Sequence, residues 1–118
     1  MRLHHLALRT RDLPRLEAFY AGLLALPAVR RGERSVWLDA AGTIVMLEIA
    51  DEGEVLASPT LELVCFAISP GERAGWEERL RRAGIAIEAT TGFTMYFRDP
   101  DGRRVALSHY PDPPNFPA

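Results

Sequence analysis

Four side chains carry most of the chemistry open to this sequence. They are His4, His5 and Arg9 in Leu3-His4-His5-Leu6-Ala7-Leu8-Arg9, and Glu48 in the run Thr43–Ala50. Imidazole and carboxylate groups serve as general acids and bases or as ligands of a divalent cation. A guanidinium grips a carboxylate or phosphate through paired hydrogen bonds, so Arg9 reads either as a ligand anchor or as half of a rim salt bridge. Glu48 sits in an otherwise apolar run (Ile44, Val45, Met46, Leu47, Ile49), and if buried it needs a partner that Arg9 or His5 could supply. Trp37, Met46 and Tyr96 offer aromatic and soft apolar surface, suited to a pocket wall or to plain core. No glycine loop cradles a phosphate, no serine or cysteine triad has an evident context, and the single Cys65 excludes both a cysteine zinc motif and an intrachain disulfide. Flanked by Val64 and Phe66, Cys65 reads as a small buried hydrophobe.

These groups must be positioned by strands. The run 3–9 alternates, placing Leu3, His5, Ala7 and Arg9 on one face and His4, Leu6 and Leu8 on the other. His4 thus reads as structural or helix-contacting. Asp12 is an N-cap, Pro14 is tolerated in the first turn, and Leu16, Phe19, Tyr20 and Leu23 form a helical stripe ending before Pro27. Strands are predicted over 28–31, 35–39 and 43–50, the last two joined around Ala40-Ala41-Gly42. The polar stretch 51–60 reads as a linker, and then the order repeats. A strand over 61–68 leads to Ser69-Pro70-Gly71-Glu72, a capping box with proline at the first helical position. Trp76, Leu80 and Ala83 make the next apolar stripe, closed by Gly84. Strands over 85–89, 94–99 and 103–110 finish the copy, and a proline-rich tail spans 111–118 with Phe116 near its end. Asp99-Pro100-Asp101-Gly102 is turn chemistry: Pro100 presets φ and Gly102 takes the positive φ that closes the bend. Gly42 stands sixty positions before it in a looser copy of the same hairpin.

Composition narrows the function classes. A chain of 118 residues, 47% hydrophobic and 25% charged, is ordinary globular protein, and halves of this size need one another or a partner to bury a core. Net charge is −2, which gives no electrostatic case for nucleic acid or an anionic membrane. Arginines cluster at 30, 31 and 34, at 79, 81 and 82, and at 103 and 104, with glutamates interleaved, as on solvated faces. No apolar run reaches membrane-spanning length and no secretory h-region opens the chain, so a cytoplasmic location is expected.

Two tandem βαβββ modules, with Asp12-Leu13 opening the first helix, Phe19-Tyr20 inside it and Asp99-Pro100-Asp101-Gly102 in the last hairpin, resemble the vicinal oxygen chelate superfamily of glyoxalase I, bleomycin-resistance proteins and extradiol dioxygenases. The resemblance spans roughly residues 3–109. It implies an α+β fold in which module one (3–50) and module two (61–110) each curl a sheet into half a cup. In the metalloenzymes of that family, four inward places on the first and last strands bind a divalent metal. Here they fall on His5, Met46, Leu63 and Ala106, and only the first has a donor suited to a hard cation. Glu62 and His109 have the wrong parity to replace them. The expectation is therefore a small-molecule-binding protein with no cofactor and a largely apolar cup, lined by His5, Arg9, Trp37, Met46, Glu48, Leu63, Tyr96 and Ala106. A divalent-metal lyase, isomerase or dioxygenase using His5 and Glu48 is the alternative, and metal-free acid–base catalysis by Glu48 or His5 is a third. The resemblance also implies a homodimer.

Overall fold

The computed structural model describes residues 1–54, 56 and 62–112. Two compact units divide the chain, Met1–Ser58 and Pro59–Ala118.

In the first unit β1 (His5–Thr10) leads to helix α1 (Leu13–Glu17), then β2 (Ala28–Arg31), β3 (Ser35–Ala40) and β4 (Thr43–Ile49). The sheet order is β1-β4-β3-β2, with β1 parallel to β4 and the remaining pairs antiparallel. Leu8, Thr10, Val36, Leu38, Val45 and Leu47 form the buried face, where α1 packs on β4 with Leu16. Asp12 caps α1 as expected, its Oδ1 accepting from Arg15 N at 3.2 Å. Beyond Glu17 the helix continues as a π-helix over Ala18–Leu23, with Leu24 N donating to Phe19 O at 2.9 Å. The wider turn carries one extra residue, so Leu24 enters the core beside Phe19 and Tyr20 where the 3.6-residue spacing had pointed to Leu23. The β3–β4 turn is the two-residue loop Ala41-Gly42, both at positive φ (52° and 99°), a type I′ turn that matches the strand twist.

The second unit repeats the plan with β5 (Leu63–Ala67), α2 (Arg73–Arg82), β6 (Ala89–Thr90), β7 (Thr94–Arg98) and β8 (Arg104–Ser108), in the sheet order β5-β8-β7-β6. The Glu72 carboxylate accepts from Ser69 N (2.8 Å) and Ser69 Oγ (2.9 Å), completing the predicted capping arrangement ahead of α2. Those bonds hold the carboxyl below its usual range, the backbone bond foremost. At the far end, Gly84 takes φ 75° and Ile85 N bonds Leu80 O at 2.9 Å, closing the helix. Leu80 is the fully buried member of the stripe, Trp76 is half-buried, and Ala83 is exposed at the cap. The segment expected as a strand over 85–89 pairs only at Ala89–Thr90.

The second hairpin is built around Asp99, whose side chain is fully buried. Its Oδ1 accepts from Asp101 N (2.9 Å) and Arg103 N (3.0 Å), and its Oδ2 meets Arg103 Nη1 at 3.2 Å. Gly102, at φ 88°, donates to Asp99 O. The carboxylate thus does for this loop what Asp39 Oδ1 does for the first, where it accepts from Gly42 N at 2.8 Å. Residues 51–54 of the expected linker form a turn on unit one, with Glu54 N bonded to Asp51 O. The rest of that linker (Leu56 apart), the start of the predicted 61–68 strand and Phe116 in the tail lie outside the described residues.

Candidate functional site

Strand register fixes which side chains share the face turned away from each helix. In unit one, three rows cross β3, β4 and β1: Ser35–Glu48–Arg9, Trp37–Met46–Ala7 and Asp39–Ile44–His5. In unit two the matching rows cross β7, β8 and β5: Thr94–Ser108–Ala67, Tyr96–Ala106–Cys65 and Arg98–Arg104–Leu63. Position by position, His5 corresponds to Leu63, Met46 to Ala106 and Trp37 to Tyr96. Every residue named above as cup-lining lies on this face of its own sheet. His109 lies on the other face, as its parity requires: it is buried, with Arg73 Nη1 donating to Nε2 at 3.1 Å and Nδ1 lying 2.6 Å from Asp112 O. A guanidinium has no acceptor, so Nε2 accepts and Nδ1 carries the proton. Arg73 also donates to Thr91 O, which anchors the start of α2 to this sheet.

The polar groups of unit one are engaged with one another. Arg9 Nε lies 3.3 Å from Glu48 Oε1 and Arg9 Nη1 lies 2.7 Å from Glu54 Oε2, with Asp51 Oδ2 at 3.7 Å. Glu54 also accepts from Asp51 N at 2.9 Å. That backbone bond and the Arg9 guanidinium hold the Glu54 carboxyl below its ordinary range, while the hydrogen bond and charge of Glu54 raise Arg9. Arg9 is thus ion-paired with three carboxylates, and Glu48 has the partner its apolar strand calls for. His5 is exposed, its Nδ1 2.9 Å from Nδ1 of His4 and the two rings edge to face. His4 is exposed too, which replaces the expected helix contact.

The metal implied by the family resemblance does not fit these residues. Met46, Leu63 and Ala106 offer no hard donor at three of the four places, and Ala106 is fully buried. His5 and Glu48 stand four residues apart along adjacent parallel strands, about 13 Å at the usual strand rise. Sharing one ion would require both side chains to lie flat toward each other, whereas Glu48 leans onto Arg9. Among the described residues no cluster of three His, Cys, Asp or Glu side chains is placed to hold a metal.

Two features went unseen in the sequence. Cys65 is exposed on the helix-free face, not buried, because parity and not its flanking residues decides its side; partial desolvation still raises its thiol above the ordinary value. Arg103 and Arg104 do not share a solvated face. Arg103 is tied to Asp99, and the Arg104 guanidinium lies 4.3 Å from the centroid of the Tyr96 ring. Cation–π placement depends on what the partner strand offers in register, which residue order along one strand does not reveal.

The sequence profile of the Glyoxalase/Bleomycin resistance protein/Dioxygenase superfamily matches residues 2–107. Among solved structures, the genomically encoded fosfomycin resistance protein of Listeria monocytogenes is 21% identical over 92% of this chain and 92% of its own, with a TM-score of 0.79. One variant of that protein was solved with Mn(II) and 1S,2S-dihydroxypropylphosphonic acid. Lactoylglutathione lyase from Agrobacterium tumefaciens is 22% identical, covering 91% of this chain and 92% of its own at a TM-score of 0.73. A glyoxalase/dioxygenase from Nostoc punctiforme is 21% identical, covering 90% and 88% at 0.74. No curated protein matches. At these identities the solved structures speak for the fold alone. Among the described residues no helix is long and apolar enough to cross a membrane.

Proposed function

This chain belongs to the Glyoxalase/Bleomycin resistance protein/Dioxygenase superfamily, and from that premise we propose that it binds a small organic molecule without a metal. The observation that carries the reading is the middle row of each helix-free face, Trp37–Met46–Ala7 and Tyr96–Ala106–Cys65. At two of the places implied for metal ligands, these rows hold the Met46 thioether and the buried Ala106 methyl, each beside an aromatic ring. Such surface binds by burying flat apolar area, with a few polar groups setting orientation. His5, Arg9 and Glu48 remain the polar candidates of unit one, Arg9 and Glu48 acting as a pair.

The competing reading, a lyase, isomerase or dioxygenase with metal on His5 and Glu48, meets the separation given above. Acid–base catalysis by Glu48 would need it released from Arg9. Titration of chelator-treated full-length protein separates these. Aromatic ligands are expected to raise its melting temperature with no metal added, and Zn, Ni, Mn and Fe to show no stoichiometric uptake. Uptake of one metal per chain that vanishes in His5→Ala overturns the proposal. The homodimer implied by the family is part of the same proposal, and light scattering on the eluted peak decides it.

A further inference from the structure

In the row Arg98–Arg104–Leu63 two arginines stand side by side, in register, on one face of the sheet. Like charges directly across a strand pair repel unless each is compensated. Arg98 is compensated: its Nε lies 3.0 Å from Glu88 Oε1 and its Nη1 donates to Gly102 O at 3.2 Å. Arg104 has no carboxylate partner among the described residues. It is half-buried, and its guanidinium lies over Tyr96. Tyr96 belongs to the neighbouring row, about 7 Å along the strand, so the arginine leans from its own row into the row of Ala106 and Cys65.

A guanidinium seated on a ring face keeps its in-plane N–H groups directed outward from the ring, where a planar oxyanion can meet two of them at once. Arg104 and Ala106 stand two residues apart on one face of β8, and Ala106 is one of the four places the family resemblance implies for a metal ligand. A carboxylate at that position would share the face with Arg104 two residues away and neutralise it; the methyl group does not. Unit one has a related stack, Arg30 over Trp37 at 5.2 Å, but Arg30 lies exposed on the edge strand β2, where bulk water satisfies it.

We infer that Arg104, held on Tyr96, is the anion-binding group of the second unit, and that the ligand joins a carboxylate or similar oxyanion to a flat apolar body. The positive charge stands next to the Ala106 place and needs no metal to supply it. The inference deepens the small-molecule reading and rests on it.

The experiment titrates the full chain calorimetrically with 2-naphthoate and with the neutral 2-naphthamide, which share one ring system. Protection of Cys65, the one thiol of the chain, from alkylation reports occupancy of the same face. Native protein is expected to bind the carboxylate about tenfold tighter or more. That preference should vanish in Arg104→Gln, survive in Arg98→Gln, and fall only partway in Arg104→Lys, which keeps the charge but loses the fork. Arg104→Lys also serves if the glutamine variant fails to fold. Equal binding of the two compounds overturns the inference and leaves the small-molecule reading standing, as does a preference that persists in folded Arg104→Gln or is undiminished in Arg104→Lys. No binding of either compound, with Cys65 unprotected, overturns both.

Discussion

The two helix-free faces share one grid of nine positions and differ in what occupies its outer rows. Unit one places Arg9 beside Glu48 and adds Glu54 from the following turn, so its strongest charge is neutralised within the unit. Unit two has Ala67 and Ser108 at those two positions, and it carries Arg104 where unit one has Ile44. The backbone plan is common to both while the electrostatics are opposite: one face closed upon itself, the other left with a cation on an aromatic ring. A duplicated scaffold fixes where side chains point and leaves their chemistry free to diverge.

The hairpins give the sharpest way to break this comparison. Asp99→Ala removes a buried carboxylate, strands two backbone N–H groups and takes from Arg103 its buried partner, so unfolding in urea should show a loss of about 3 kcal/mol. Asp39→Ala, the counterpart in unit one, loses one bond at a less enclosed turn and should cost about 1 kcal/mol. Equal costs would mean that the hairpins are anchored alike. Gly102→Ala forces a side chain into φ 88° and should cost about 1–2 kcal/mol, whereas Ala41→Gly relieves a residue at φ 52° and should gain about 0.5 kcal/mol.

The smallest effect concerns acid. Glu54 titrates below the ordinary carboxylate range in the folded chain, so its contribution is complete above the unfolded value near pH 4.3 and is lost as pH falls through the folded one. Amide shifts of Asp51 and Glu54, followed by NMR, should therefore move at a lower pH than that of a free glutamate, and in Arg9→Gln the transition should rise. A Glu54 that titrates like a free side chain removes the claim that unit one neutralises its own arginine.

Much of this arrangement was legible in residue order. Alternation from Leu3 to Arg9 put His5 and Arg9 on one face and Leu6 and Leu8 on the other, and duplication carried the same parity to Leu63 and Ala106. The capping residues Asp12, Ser69 and Glu72 declared themselves because capping is local chemistry. What stayed hidden depends on contacts between distant residues. Leu23 and Leu24 are both apolar, and only the widened turn decides which is buried. Asp99 reads as an ordinary turn residue until its carboxylate is seen to be enclosed. Arg9 and Arg104 look alike on paper, and their partners, Glu54 for one and Tyr96 for the other, separate them.

The π-helical stretch has a consequence for how this chain can be edited. Between Phe19 and Leu24 the chain carries one residue more than a regular helix would use. Loss of a single residue at Ala21 or Gly22 would therefore let the backbone relax into ordinary 3.6-residue geometry with the same leucine still facing the core. Elsewhere in a helix such a deletion rotates everything after it by a hundred degrees; here it would remove a surplus.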